Sequence, residues 1–541
     1  MIRAYRHRVY AMFWTWDYDP FICEVDMESC NGSKNVAQGQ HIQLSLYPRS
    51  VSVTKQSTNV KVSYKDALNP NDHVFVFVDP LDGARPEPLF YGLIDSVFAP
   101  KSVGPDGLKT YRVYVTCTGW EKAVDVASAI TSPFVHGNIN DTTLRALGPY
   151  GWIGRTGRSR YVITGEGVGA DIAPSSEGPY TMPLPELIEI LVALFLRTSD
   201  SEGLQPSQFS DTINRARETE ESDLDPMFNG QFELPGTNKP LWDFIRMRFQ
   251  DIQQRAYTDP RMFLNGATKS LSSMIDSLSN PLINEIFYDV RRTDDDGLSS
   301  MDTNLVSEIT GGYSAETMRN FVSYARSVNE SFGDLVENVA PYMVFRERPL
   351  TMDEIMNLDG PEIDERECIN MDLGKSDSDL YNLVSLELPS VQMQLIRAQT
   401  GFMGFTNYRS RSLESIRKHG LRFYQDNATA WPMFARGNEV TAPGPNPVLL
   451  EEWENRMTRA GLDNVSVYSG SVTIPKFIRG LHIGGKLLIR HQTDIDVDTE
   501  EYDRVYYVDG YDFKFDASNG SFITSISLSR GYVASQFSRG K

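Results

Sequence analysis

The closing stretch, residues 471–532, constrains the fold more than any other part of this chain. Polar and apolar residues alternate over two long runs, joined by a loop that holds Asn519-Gly520. In the first run Tyr511, Phe513 and Phe515 fall on one face, with Asp512, Lys514 and Asp516 on the other. In the second, Phe522, Thr524, Ile526 and Leu528 share a face opposed by Ser525, Ser527 and Ser529. Side chains of a strand point alternately to its two sides, so this period of two predicts a half-buried hairpin. Asn-Gly suits the positive backbone angles of tight hairpin turns. Arg530-Gly531 marks the expected end of the second strand.

The same texture recurs near the other end. Residues 40–122 read as strands: Val51 and Val53 alternate with polar neighbours, and Val60, Val62 and Tyr64 repeat the pattern. His73–Asp79 is an apolar strand stopped by Pro80 and the turn Asp82-Gly83, and Leu89–Phe98 is another. After a Gly104–Gly107 loop, Tyr111, Val113, Val115 and Cys117 alternate with Arg112, Tyr114, Thr116 and Thr118, up to Gly119-Trp120. Residues 91–120 and 507–531 thus share one layout: aromatic-led strand, polar glycine loop, alternating strand, terminating glycine. Either the chain carries two related barrels, one near each end, or two hairpins look alike because alternation is common.

Between these ends the period changes. Leu187, Ile190/Leu191 and Leu194/Phe195 recur at helical spacing, and Leu241, Phe244/Ile245, Arg248/Phe249 and Ile252 predict a second amphipathic helix with Pro240 in its first turn. Ala315–Val328 reads as a helix after Ser314. Leu413–His419 reads as a short helix with Ser412 as cap and Gly420 just past its end. A further helix runs from about Val448 to Ala460, left at Gly461. Ile283–Val290, Tyr342–Phe345 and Leu383–Leu388 read as strands, and Asp294–Gly297 as a turn. Residues 198–235 are polar and acidic, an expected surface segment.

At 541 residues the chain exceeds what one core serves, which predicts three or four domains. The expected class is α+β, β-rich, with two tail-tube-like β-barrel domains flanking a mixed helical and sheet region. The expected divisions are 1–175 (N-terminal barrel), 176–280 (mostly helical), 281–380 (mixed α/β) and 381–541 (C-terminal barrel with a helical insertion near 408–465). The formal charge is −20, from 52 basic and 72 acidic residues, and such a surface repels DNA and anionic lipid. Arg155, Arg158 and Arg160, and the group Arg409, Arg411, Arg417 and Lys418, are too short as patches to reverse that balance. Sequence-specific nucleic-acid binding is not expected of this charge balance, whereas a conduit past which DNA slides is compatible with it. The best apolar run, Ile190–Leu196, is too short to span a bilayer, and the aspartate-broken segment Met1–Cys23 reads as part of the fold, not a signal peptide.

Enzyme signatures are scarce. The seven histidines are scattered, with no HxxxH or HExxH spacing, and no GxSxG elbow occurs. Gly165-Glu166-Gly167-Val168-Gly169 lacks a Walker lysine and reads as a loop. Asp494–Glu501 places carboxylates at alternate positions but lacks the ligand order of an EF-hand, and reads as a solvated hairpin tip. Asp294–Asp296 and the group Asp372, Asp377 and Asp379 read likewise. Cys23, Cys30, Cys117 and Cys368 form no CxxC pair and read as buried or free thiols. No catalytic, cofactor-binding or metal residue is therefore nominated, and no cofactor is expected.

Three segments carry a family resemblance. Ala340-Pro341-Tyr342-Met343-Val344-Phe345-Arg346-Glu347-Arg348-Pro349 resembles the apolar strand and Arg-Glu-x-Pro ending of phage tail-hub proteins. Residues 408–422 resemble that family's short Ser-Ile-x-x-x-Gly-x-Arg helix, here Ser415-Ile416 to Gly420 and Arg422. Leu481-His482-Ile483-Gly484-Gly485, Phe522-Ile523-Thr524 and Ser529-Arg530-Gly531 resemble its last barrel, a type shared with contractile-phage baseplate hubs and type VI secretion spikes. The resemblance implies a structural, non-enzymatic virion protein, assembled in the host cytoplasm. It implies a homotrimer whose paired barrels form a pseudo-sixfold ring, matching a sixfold tail tube to a threefold spike or fibre. Its implied partners are tail tube or distal tail proteins, a tape measure protein, the central spike or fibre, and DNA passing without specific binding. Residues 198–235 and the proline-rich stretch 443–447 depart from the family pattern. The competing reading is a tail-associated glycosidase or peptidase that opens the cell wall; a third is a head-to-tail adaptor or carbohydrate-binding tail component.

Overall fold

The computed structural model describes residues 6–55, 58–103, 109–126, 233–235, 239–250, 284–292, 315–328, 330–378, 380–386, 412–426, 455–459, 461–490 and 503–534, with isolated residues between. These form a β-rich fold with few helices. The N-terminal third supplies β1 (Arg8–Trp14), β2 (Phe21–Cys23), β3 (Met27–Asn35), β4 (Gly39–Leu46), a ribbon of β5 (Ser50–Lys55) and β6 (Thr58–Ser63), and α1 (Tyr64–Ala67). It continues with β7 (His73–Asp79), β8 (Glu87–Phe98), a small ribbon of β9 (Lys101–Val103) and β10 (Lys109–Tyr111), β11 (Val113–Gly119) and α2 (Lys122–Val126). The middle supplies β12 (Arg246–Gln250), β13 (Asn284–Arg292), α3 (Ala315–Val328), α4 (Glu330–Val336), β14 (Val339–Glu347) and α5 (Met352–Met356). The last part supplies β15 (Glu362–Asp364), β16 (Asn370–Gly374), β17 (Leu383–Leu386), α6 (Leu413–His419), β18 (Phe423–Asp426), β19 (Tyr468–Ile474), β20 (Lys486–Arg490), β21 (Arg504–Asp516) and β22 (Ser521–Val533).

The terminal hairpin forms as its alternation requires. β21 and β22 pair antiparallel with Phe515 opposite Phe522 and Tyr511 opposite Ile526, and their aromatic face is buried while Asp512 and Lys514 are exposed. Gly520 takes a φ of 68° in the connecting turn, where Asn519 Oδ1 accepts the Ser521 amide at 2.8 Å. Arg530-Gly531 does not end the strand, which continues to Val533. Glycine is needed at 531 because a Cβ would lie 2.2 Å from the Tyr506 ring.

Strands from both chain ends enter one 13-stranded sheet, in the order β2-β1-β7-β8-β11-β4-β3-β21-β22-β19-β16, with β20 on the other part of β21 and β15 parallel to β20. The join is β3 on β21, with Gly510–Asp516 antiparallel to Ser29–Asn35. Among the described residues no pairing closes β2 onto β16. The core beneath is continuous: Val9, Phe13, Leu44, Val76 and Val115 pack in one apolar cluster with Ile474, Phe513, Phe522, Ile526 and Leu528. Each such fully buried large side chain contributes about 1.5–3 kcal/mol. β7 is buried on both faces, and Phe75 stacks on Tyr91 at 4.3 Å with Phe244 edge-on to both rings.

A second sheet, β12-β14-β13, lies against the first. Here the sequence reading of a helix over Leu241–Ile252 fails. A single 3-10 turn, Leu241–Phe244, leads into strand β12, which pairs parallel to β14 from Arg246/Tyr342 to Gln250/Arg346. The reason is tertiary: buried β14 has backbone groups on two edges to satisfy, β13 covers one, and β12 covers the other. Met247 and Phe249 fit a period of two as readily as the periodicity of a helix. Ile252 and the helix expected over Leu187–Phe195 lie outside the described residues.

Other expectations meet the structure more closely. α3 spans Ala315–Val328, with Ser314 outside the described residues. α6 spans Leu413–His419, with the Ser412 hydroxyl accepting the Ser415 amide at 3.2 Å, Arg417, Lys418 and His419 in its last turn, and Gly420 at φ 76°. The alternation through Val60, Val62 and Tyr64 ends one residue early, because Ser63 caps α1 and buries Tyr64 in the core. The helix expected to stop at Gly461 has helical residues at 455–459 and 461–463. Gly461 instead permits close packing, since a Cβ there would lie 2.5 Å from the Tyr381 carbonyl oxygen.

All four cysteines are free thiols, three of them buried. Burial pushes the Cys23 thiol up to about 12, and Cys30 and Cys117 are raised by burial as well. An alkylating reagent at neutral pH is expected to leave these three unlabelled in the native protein and to label them after denaturation, as read by intact mass. Rapid native labelling of Cys30 would contradict the packing of β3.

Candidate functional site

Two features stand out: a buried charged seam between the sheets, and a polar outer face on the main sheet. The seam begins with the alternation of β13. Glu285, Phe287, Asp289 and Arg291 recur every second residue and are all buried. They meet β3, β21 and the turn 481–485.

Glu285 accepts from Arg346 Nε at 2.6 Å and from the Tyr507 hydroxyl at 2.6 Å. The other arm of Arg346 donates to the Gly484 carbonyl, and its guanidinium lies over the Phe287 ring at 5.2 Å. Burial opposes the Arg346 charge, but Glu285 and Tyr507 outweigh it and hold its pKa up. Gly484, at φ 70°, has no room for a Cβ, which would lie 2.6 Å from Phe287. Further out, Arg348 Nη2 reaches Asp509 at 3.4 Å, Arg530 donates to the Pro349 carbonyl, and the Tyr532 hydroxyl donates to Leu350 O at 2.8 Å.

Asp289 is the second centre. Its carboxylate meets Lys34 Nζ at 2.8 Å, Arg291 Nε at 2.8 Å and His482 Nδ1 at 3.4 Å. Burial would raise its pKa, but Lys34, Arg291 and His482 hold it well below the usual carboxylate range. The Lys34 ammonium, also desolvated, is kept charged by Asp289 and Tyr511. His482 is pushed down, first by burial and then by Arg291. The seam is thus made of mutually satisfied ion pairs, which suits a structural joint: removing one partner would strand a buried charge. Among the described residues, no group of three or more His, Cys, Asp or Glu is placed to hold a metal ion.

The resemblance-bearing segments partly converge here. Arg346, Gly484 and Arg530 all sit in or beside the seam, whereas α6 lies on the small β17-β18 sheet, where the Asn382 side chain bonds Ser415 and the Gly420 carbonyl. The sequence reading treated His482 as solitary and passed over Glu285, Asp289 and Arg291. Their period-two spacing inside an apolar strand was the available signal. Arg155, Arg158, Arg160, Arg409, Arg411, Gly165–Gly169, Asp294–Asp296 and Asp494–Glu501 lie outside the described residues.

The outer face arises from the polar half of the same alternation. In register, Thr118, His41, Ser33, Asp512, Ser525, Thr473 and Asn370 form one row across seven strands. Thr116, Gln43, Asn31, Lys514 and Ile523 form the next. All are at least partly exposed. Neighbours bond across strands, as in Thr473 Oγ1 to Ser525 Oγ at 3.1 Å and Thr118 Oγ1 to Asp95 at 2.6 Å. Lys514 is the one lysine or arginine in the two rows.

No family model matches the sequence, and no curated protein matches it. Among solved structures the chain is similar to a tail protein from Neisseria meningitidis, with 8% identity, 97% of each chain covered and a TM-score of 0.43. It is similar to the 43 kDa tail protein of prophage MuSo2 from Shewanella oneidensis, with 7% identity, 97% of this chain and 98% of that one covered and a TM-score of 0.38. It is also similar to an E. coli component of the type VI secretion system, with 8% identity, 94% of this chain and 76% of that one covered and a TM-score of 0.29. The structural neighbours of this chain are thus phage tail proteins and a type VI secretion component, aligned over nearly its whole length.

Proposed function

We propose that this protein is a structural virion component, the central hub of a phage tail baseplate or tail tip. In this reading three copies form a ring, each contributing two tube-like units, one built on β1–β11 and one on β19–β22. The ring adapts a sixfold tail tube to a threefold spike or fibre, and the genome passes through its channel. The four-segment division of the chain, 1–175, 176–280, 281–380 and 381–541, belongs to the same proposal, as do the tape measure and tail-tube partners.

One observation carries the reading: the continuous polar face that runs in register from β11 through β3 and β21 to β16, backed by a single apolar core. Serine, threonine, asparagine and glutamine hydroxyls and amides offer a wetted surface, and Asp512 offsets Lys514. Phosphate adhesion grows with the number of lysines and arginines presented, so such a face would let a duplex slide. Edge pairing between copies would satisfy the edges of β2 and β16 that no described strand covers, within a closed ring.

Light scattering on the purified protein, followed by imaging of the particle, tests this. The expected result is a trimer-sized species and a threefold ring on the tail axis, with Ser33 and Asp512 facing the channel. A strictly monomeric species at high concentration, joined to an image lacking the protein on the tail axis, would overturn it. Peptidoglycan turnover by the pure protein would favour the cell-wall enzyme instead.

A further inference from the structure

Beside the ion pairs of the seam lies a carboxyl group with no cation of its own. Glu121, at the start of α2, is buried; its Oε1 accepts the Gln40 amide at 2.5 Å and its Oε2 has no partner. Gln40 passes this contact on, since its side-chain amide donates to the Tyr288 carbonyl of β13. Trp120, next to Glu121, packs edge-on against the Tyr288 ring at 5.0 Å. One residue further along β13, Asp289 holds Lys34 and His482. Two titratable groups therefore grip adjacent residues of one strand, Glu121 from the end of β11 and His482 from the turn 481–485.

We propose that β13 is fastened to the main sheet by a two-sided proton latch, which base opens through Glu121 and acid opens through His482. On the alkaline side, the charged groups facing Glu121 are Asp125 of α2, which repels its anion, and Lys34 of β3, whose ammonium is committed to Asp289. Backbone amides, that of Gln40 among them, and the already paired Lys34 favour ionised Glu121, but the cost of burying its charge outweighs them, and hydrating it requires water to enter beside Gln40 and Trp120. On the acid side, His482 faces Arg291 and Asp289 of β13 and Lys34 of β3. Protonated His482 would place a third cation around one carboxylate.

The signs follow from linkage. Burial raises the Glu121 carboxyl to about 7, so its contribution is full below the unfolded value and is lost as pH rises through about 7. The His482 imidazole is depressed by burial and Arg291, so its contribution is full above about 6.5 and is lost as pH falls towards the folded value. Opening frees the middle of the chain from both ends at once, because β3 and β4 come from one end and the turn 481–485 from the other.

Hydrogen exchange of residues 284–292 in the full chain, corrected for intrinsic rate and followed from about pH 5 to about pH 9, reads the latch directly. The two limbs overlap: between about pH 4.5 and 7 rising pH weakens protection through Glu121 by up to about tenfold per unit, below about 6.5 falling pH weakens it through His482, and above about 7 the profile is flat. Glu121→Gln should therefore leave protection that only rises with pH, and His482→Gln protection that only falls as pH rises to about 7. A profile unchanged in Glu121→Gln overturns the proposal. If that variant fails to fold, His482→Gln decides: protection that does not fall between about pH 5 and 7 overturns it, and a fall there accompanied by exposure of Trp120 in fluorescence supports it.

Discussion

Asp289→Ala is expected to cost on the order of 3–5 kcal/mol of folding stability, the largest effect of any single polar substitution considered for this protein. The carboxylate is fully buried and meets Lys34 and Arg291, each at 2.8 Å. Removing it leaves the Lys34 ammonium in the interior without its partner, and a stranded buried charge costs more than the pair was worth. The paired change Lys34→Met with Asp289→Ala should therefore be less damaging than Asp289→Ala alone. A double-mutant cycle by denaturant unfolding measures the difference. Additivity of the two single effects would mean that the pair is not coupled, and the seam would have to be redrawn.

The same site sets an acid limb. A carboxylate held below its unfolded value contributes stability that is present above about pH 3.9 and is lost as pH falls through its folded pKa. Asp289 is such a group. Its alanine variant should show a shallower acid limb than wild type, besides lower stability at neutral pH.

Phe513→Ala is the second large effect, expected at about 3–5 kcal/mol. The ring is 3% exposed, lies parallel to Phe522 with centroids 6.0 Å apart, and covers Gly32 so closely that a Cβ there would lie 2.5 Å from Phe513 Cζ. It therefore fills the place where β3 and β21 join the two ends of the chain. Truncation leaves a void at this join, and Gly32 has no side chain to collapse into it. In thermal unfolding the N-terminal and C-terminal strands should melt further apart in the variant than in the native chain. A loss below about 1 kcal/mol with the two sets of strands melting as they do in the native chain would show that β3 and β21 are held together by other contacts.

Much of the local structure was legible because its causes are local. The hairpin β21–β22 follows from alternation around Asn519-Gly520, and α6 from Ser412, its basic last turn and Gly420. β12 was misread because its five residues fit two periods and only the vacant edge of β14 chooses between them. The repeat between residues 91–120 and 507–531 was legible as two hairpins. That both would enter one sheet through β3 was not, since β3, Met27–Asn35, is rich in serine and asparagine and carries little apolar signal.

The candidate site divides in the same way. Polar residues at alternate positions announce an exposed face, so each row position on β11, β21 and β22 could be read singly. Their register into continuous rows could not, because alternation fixes which way a side chain points and is silent on which strand lies beside it. The Lys34–Asp289 pair spans 255 residues of sequence. By itself the sequence determined a β-rich chain, its terminal hairpin, the capped helix α6 and the polarity of the alternating strand faces, because turns, caps and alternation act over a few residues. Only the tertiary structure decided the sheet order, the parallel edge at β12 and the burial of the charged seam, because strand partners and ion pairs are chosen by what lies adjacent in space.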